Sequence, residues 1–167
     1  AMDSFGIGGH AYRDGECLDA TNDDWYCYYL QGALDKNIIP KEMIENCNVT
    51  KVTKTLAEAT DDKEAVTTDV NVYTGKFDGD KPITREEMAA IAVRCKNYKM
   101  RRLTDWDNER RYPIFSFKDS DEIDEKYISD VVKAYNLNYI DGMEDGRFAP
   151  KENLTRAQAA VVMNNLK

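Results

Sequence analysis

Two short segments carry the residues best suited to binding an anion. Each has a threonine followed by an arginine, Thr84-Arg85 and Thr155-Arg156, with a Glu or Gln three residues after the threonine. This spacing is typical of a capping box, so each arginine is expected in the first turn of a helix. Free amides and the helix dipole favour an anion there. We therefore expect all four residues to belong to a ligand-binding site, and for the arginines a salt bridge to a nearby carboxylate is the alternative.

Two glycines and a basic segment extend this candidate site. Gly142 and Gly146 each follow an aspartate, and each Asp-Gly pair predicts a tight turn. The backbone of this turn can approach a ligand closely; the alternative is that the glycines serve only to form the turn. Residues 94–111 hold seven basic and three acidic side chains in a chain of net charge −8. We expect this segment to be either a solvated linker or a cationic site. In the second case its contributors are Arg101, Arg102 and Trp106, and the alternative role for the tryptophan is a hydrophobic plug.

The sequence argues against several other functions. A net charge of −8 disfavours nucleic acid as a partner, and His10, the single histidine, leaves nucleophilic catalysis without a paired base. The four cysteines contain no Cys-x-x-Cys pair, which makes zinc improbable, and they are expected as buried thiols or as two disulfides. An Asp-rich stretch at 119–124 lacks the glycine and glutamate of a calcium loop. We predict no enzyme activity, no metal, no cofactor and no transmembrane span.

An internal repeat organises the chain. Residues 75–89 match residues 146–160 at a separation of 71, and residues 25–39 match residues 126–140 at a separation of 101. Apolar residues at three- to four-residue spacing predict two helices in each repeat. The fold class is therefore predicted as mainly α, with tandem helix–turn–helix repeats.

The unequal separations imply about thirty extra residues inside the first repeat. These residues, 41–74, are rich in β-branched side chains and predict a small β-hairpin. The predicted divisions are an N-terminal extension at 1–16, a first repeat at 17–98, a basic linker at 99–114 and a second repeat at 115–167.

The second repeat resembles the S-layer homology family. The likeness rests on Phe117-Lys118-Asp119 at its start, the turn Asp145-Gly146-Arg147-Phe148-Ala149-Pro150, and Leu154-Thr155-Arg156-Ala157-Gln158 at its second helix. In the family pattern Ile stands where Leu154 does and Glu where Gln158 does. The first repeat has Trp25, which is expected in the core at the start of a helix, and Ile83-Thr84-Arg85-Glu86-Glu87, but the insertion divides its turn.

This resemblance implies a non-catalytic module that anchors an exported protein to the bacterial cell envelope. The implied partner is secondary cell wall polysaccharide, often pyruvylated, and the implied location is the cell surface. Family members usually have three repeats, so we expect a third repeat outside these residues, a homo-oligomer, or a domain for which two repeats and the insertion suffice. The alternative function is a structural or protein–protein interaction module in which the insertion contacts a partner.

Overall fold

The computed structural model describes residues 18–20, 23–57, 64–99 and 117–166. Its helices are α1 at Cys27–Asp35, α2 at Arg85–Lys99, α3 at Ile128–Asn136 and α4 at Arg156–Asn165. Its strands are β1 at Glu45–Ala57 and β2 at Val66–Lys76. Single 3-10 turns lie at Lys41–Met43, Ser120–Glu122 and Glu125–Tyr127. No helix in the described ranges is long and apolar enough to cross a membrane.

The prediction of a mainly α fold is wrong. The strands are 13 and 11 residues long, as long as the helices, which have 9, 15, 9 and 10 residues. The expected hairpin is present as an antiparallel pair, with Val49 opposite Tyr73 and Val52 opposite Val70. It is not small, because the run of threonines and valines continues the pairing to Thr55 and Thr67. The fold is mixed, with helices and one antiparallel ribbon.

Unit 1 comprises Ala1–Asp35 and Lys41–Gly79. Within it, polar side-chain contacts join α1 to the ribbon. The Gln31 side chain donates to the Asn71 carbonyl at 3.1 Å, and the Tyr73 hydroxyl donates to Asp35 at 3.2 Å. Burial, with the Asp35 carboxylate, raises the pKa of Tyr73 to about 12, so this hydroxyl remains a donor. Apolar burial around Leu30 and Ala33 completes the unit.

Unit 2 comprises Lys36–Pro40 and Asp80–Lys167. In this unit α2 packs against α3, and the small residues Ala89, Ala90 and Ala92 are fully buried. Small side chains let helix axes approach closely, and the buried apolar area stabilises the contact. Phe148 is also fully buried, as expected for a side chain that fills the space under the turn.

The start of α2 is bound along its backbone to the segment that precedes α4. Thr84 and Asn153 form an antiparallel bridge, and Leu154 N–H donates to the Ile83 carbonyl at 3.1 Å. The first two helical amides find acceptors in the same segment, Arg85 N–H on Glu152 at 3.0 Å and Glu86 N–H on Pro150 at 3.2 Å. Both amides would otherwise lack a partner at a helix start.

A buried carboxylate reinforces this attachment. Glu86 is 3% exposed and lies 2.6 Å from Lys151 Nζ, which is also 2.6 Å from Asp124. The second Glu86 oxygen accepts from Asp124 N–H at 3.0 Å. Burial lowers the pKa of Lys151, but hydrogen bonds to Asp124 and Glu86 outweigh burial and raise it overall. Glu86 is therefore paired and hydrogen-bonded, as a buried charge must be.

Two carboxylates hold two turns in the same way. Asp119, 6% exposed, accepts from the N–H groups of Phe148 and Ala149, both at 2.8 Å. In unit 1, Asp19 accepts from the N–H groups of Phe77 and Asp78 at 2.7 and 2.9 Å. The second residue of each turn is left-handed, with φ of +57° at Ala149 and +55° at Asp78. A non-glycine residue is strained there, so the paired hydrogen bonds must maintain the conformation.

We expect Asp119→Ala to lower the free energy of unfolding by about 3 kcal/mol or more. The substitution removes two hydrogen bonds to a buried charged acceptor and leaves the N–H groups of Phe148 and Ala149 without that acceptor. Urea unfolding measures the change. Asp121→Ala is the matched control, since Asp121 is exposed in the same segment and its loss is expected to cost no more than about 0.5 kcal/mol. Equal losses in the two variants would contradict the role given to Asp119.

The hydrogen bonds accepted by Asp19 should make the free energy of unfolding depend on pH. Burial raises its pKa, but the hydrogen bonds from Phe77 and Asp78 outweigh burial and hold the pKa below 3.8. A depressed folded-state pKa contributes stability that is present above 3.8 and is lost as the pH falls through the folded value. Unfolding free energies of wild type and Asp19→Asn, measured from pH about 6 to about 2, should therefore converge below about pH 4. A constant difference between them would contradict the prediction.

Candidate functional site

A cavity of about 180 Å³ opens in unit 2 beside the turn at 141–143. Arg85 lies in its lining with Gly142 and Met143, and α4 contributes Gln158 and Val161. Tyr139, Ile140 and Val162 complete the mostly apolar wall, with Asp141 as the remaining polar member. A guanidinium among apolar walls suits a small anionic group that also carries a methyl or methylene.

Arg85 is held within this wall and is only 4% exposed. Its Nε donates to the Phe148 carbonyl at 2.7 Å and its Nη2 to the Asp141 carbonyl at 2.5 Å. The guanidinium carbon lies 5.2 Å from the centre of the Phe148 ring, within the range of a cation–π contact. Burial lowers the pKa of Arg85, against the opposing effect of nearby carboxylates. An arginine keeps its charge in proteins and has five N–H donors, of which these two hydrogen bonds use two.

Close packing against a neighbouring ring requires glycine at position 142. A Cβ at this position would lie 2.6 Å from Cε1 of Phe117, a ring that is itself buried. Gly146 differs, because its φ is +87° and a Cβ there would meet only the Lys118 side chain at 3.3 Å. Gly146 therefore serves the turn by its backbone conformation, as expected for the Asp-Gly pair, and it lies outside the cavity lining.

The two threonines act as helix caps. Thr155 Oγ1 accepts from Gln158 N–H at 3.2 Å, and the Gln158 side chain accepts from Thr155 N–H at 2.9 Å. Thr84 and Glu87 make the same reciprocal pair at 3.4 and 2.9 Å. The predicted capping boxes are thus confirmed, and they fix where Arg85 and Arg156 begin their helices.

The structure does not bring the two arginines into one cavity. Arg156 is exposed and does not line the cavity that contains Arg85. Arg101, Arg102 and Trp106, the other predicted ligand contacts, lie outside the described residues. Ligand contact therefore stays a prediction for all of these residues.

Two features of the site were missed from the sequence. Met143 and Val161 line the cavity, and Val161 is 55% exposed, but neither was expected at a binding site. A signal was available, because Val161 adds an apolar residue beside the buried position Val162. Trp25 was expected in the core, but it is 81% exposed and meets Tyr26 edge to face at 5.9 Å.

Of the described cysteines, Cys27 and Cys95 are buried and Cys47 is partly exposed. No group of three or more metal-binding side chains occurs in the described ranges. The cavity lining described above comprises one buried cation, apolar walls and turn backbone.

Comparison with known proteins identifies a protein family for part of the chain. The family model of the S-layer homology domain matches residues 116–160. An endoglucanase of Bacillus sp. (strain KSM-635) is 38% identical over 102 residues, 59% of this chain and 10% of that protein. An amylopullulanase of Thermoanaerobacterium thermosulfurigenes is 39% identical over 84 residues, 50% of this chain and 4% of that protein. The exoglucanase XynX of Acetivibrio thermocellus is 30% identical over 156 residues, 92% of this chain and 11% of that protein.

No solved structure matches the chain. The chain spans between 4% and 11% of the length of these relatives, so their enzymatic names describe much longer proteins. S-layer homology domains are non-catalytic modules of exported proteins and indicate a location outside the cell, at the cell wall. Residues 116–160, which supply the turn and much of the cavity wall, are an S-layer homology domain.

Proposed function

We propose that this chain anchors an exported protein to the bacterial cell envelope by binding an anionic secondary cell wall polysaccharide. The buried guanidinium of Arg85 in the cavity wall supports this proposal most directly. A charge held at 4% exposure, with N–H donors beyond those on Phe148 and Asp141, is arranged to receive a carboxylate or phosphate. The family match supports anchoring by an independent route.

A pyruvate ketal fits the chemistry of this cavity. Its carboxylate would accept from Arg85, while its methyl group would lie against apolar walls such as Ile140 and Met143. A neutral sugar offers only uncharged acceptors, and hydrogen bonds from a guanidinium to an ionised acceptor are stronger. The ligand is therefore proposed to be a glycan whose acidic group enters the cavity.

The remaining predicted contacts belong to the same proposal. Gly142 would let the turn backbone approach the ligand, with Gly146 shaping that turn. The capping threonines Thr84 and Thr155 place their helix starts, and Arg156 would contact anionic groups from its exposed position. The basic linker at 99–114, with Arg101, Arg102 and Trp106, would extend the contact along the polysaccharide. The first repeat, 17–98, is proposed as a second, divergent copy of the domain.

A charge pair at Met143 tests the proposal. Met143 is half-buried in the cavity wall, so Glu or Lys can replace it with the charged group toward solvent. We expect Met143→Glu to weaken sedimentation with purified sacculi at least tenfold, since a carboxylate at the edge of the cavity repels an approaching anion. Met143→Lys should pellet at least as well as wild type.

The same assay separates the parts of the proposal. Retained binding by both variants would remove this cavity from the site, and equal loss in both would contradict recognition of an anion. The wild-type chain should no longer sediment with sacculi whose ketal groups have been removed by mild acid. Undiminished binding to such sacculi would contradict the pyruvate assignment. Thermal unfolding of each variant verifies that the fold is intact.

A further inference from the structure

Gln158 belongs both to the cap of α4 and to the wall of the cavity that contains Arg85. It lies in the first turn of the helix and is half-buried. Its Oε1 accepts from the N–H of Thr155 at 2.9 Å, and the residue lines the cavity beside the turn at 141–143. The chemistry of this one side chain therefore affects both the helix start and the cavity.

The capping box fixes the orientation of the Gln158 carboxamide. The N–H of Thr155 is a donor and needs an oxygen, so Oε1 is the atom that faces the helix start. Nε2 is bonded to the same carbon and makes no hydrogen bond to any residue that the structure describes. Because a carboxamide nitrogen donates and does not accept, the unused end of this side chain offers N–H donors only.

The cap itself does not require glutamine at this position. At α2 the same role belongs to Glu87, whose carboxylate accepts from the N–H of Thr84 at 2.9 Å, the distance that Gln158 makes with Thr155. A carboxylate near a helix N-terminus is also favoured by the helix dipole. Helix stability alone would therefore accept glutamate at position 158 at least as well as glutamine.

The surroundings of the two capping side chains differ. Gln158 lines the cavity, whereas Glu87 does not. The lining has one cation, Arg85, and one acidic residue, Asp141, so its formal charges balance. A carboxylate at position 158 would add a second negative charge and make the lining net negative. The neutrality of Gln158 therefore matters to the cavity rather than to the helix.

This chain departs here from the S-layer homology pattern, which has glutamate where Gln158 stands. The departure keeps the cap and leaves the cavity wall without a carboxylate at this position. A like charge about 4 Å from an anion weakens its binding roughly fivefold even at the dielectric constant of water. Glutamine therefore makes this cavity more favourable for an acidic group than glutamate would.

We propose that Gln158 is a specificity-determining residue of this cavity. Its neutral carboxamide leaves the charge of Arg85 able to attract an acidic group, and its Nε2 donates to an oxygen of the same ligand. Because the cavity measures only about 180 Å³, a group that enters it comes close to both side chains. The inference rests on the proposed function, and it adds which side chain makes the cavity prefer an acidic sugar to a neutral one.

The isosteric substitution Gln158→Glu tests this role. Sedimentation with purified sacculi, before and after mild acid has removed the ketal groups, measures the preference for the acidic group. We expect Gln158→Glu to bind untreated sacculi about fivefold more weakly than wild type, and the difference between the two preparations to shrink accordingly. Its unfolding temperature should equal or exceed that of wild type, because Glu87 caps α2 in the same way.

Two control variants separate the cavity from the cap and from net charge. Glu87→Gln exchanges the capping side chain of α2, and Asn165→Asp adds one negative charge at an exposed position of α4. Neither residue lines the cavity, so both variants should bind untreated sacculi like wild type.

The outcomes distinguish this inference from the function on which it rests. If Gln158→Glu binds as tightly as wild type, or if either control loses as much binding, the role of Gln158 is overturned and anchoring stands. A lower unfolding temperature in Gln158→Glu would contradict the premise that the cap accepts a carboxylate. A wild type that does not sediment with sacculi, or that sediments equally with both preparations, overturns the proposed function and this inference with it.

Discussion

The burial of one guanidinium, that of Arg85, determines how unit 2 is put together. It fixes the start of α2 to carbonyls of Asp141 and Phe148, which belong to the turn between α3 and α4. Removing an arginine from water costs several kcal/mol unless its donors are satisfied. The strained turn held by Asp119 supplies the carbonyls that meet this requirement. The helix start, the turn and the cavity wall are consequently stabilised together.

The same guanidinium links stability to recognition. In the proposed function its remaining donors bind the acidic group of a glycan, so a ligand would complete the coordination of a buried charge. A ligand that binds only the folded state stabilises it by mass action. A cavity of about 180 Å³ holds only a small part of a polymer, which favours modest affinity at each site. Repetition of such sites along one polysaccharide increases the overall affinity through effective concentration.

The sequence predicts the local features of the fold well. Helix starts at Arg85 and Arg156 follow from capping boxes, which depend on residues within one turn. The burial of Arg85 does not follow, because its acceptors lie about sixty residues further along the chain, at Asp141 and Phe148. Exposure of Trp25 likewise depends on tertiary packing that helical periodicity does not report. The mainly α prediction failed because pairing of long strands depends on cross-strand partners rather than on either strand alone.

The carboxylate clamp of unit 1 has a consequence for how such a domain can accommodate extra sequence. Asp19 fixes Phe77 and Asp78 from a position 58 and 59 residues earlier, so the turn keeps its geometry although the long β-ribbon precedes it. Loop-closure entropy rises only slowly with the length of the intervening chain. Residues on the N-terminal side of the clamped turn can therefore expand or be replaced during evolution without altering the turn itself. Divergent members of the family would then be recognised by a distant aspartate and a left-handed residue after phenylalanine, where contiguous motifs fail.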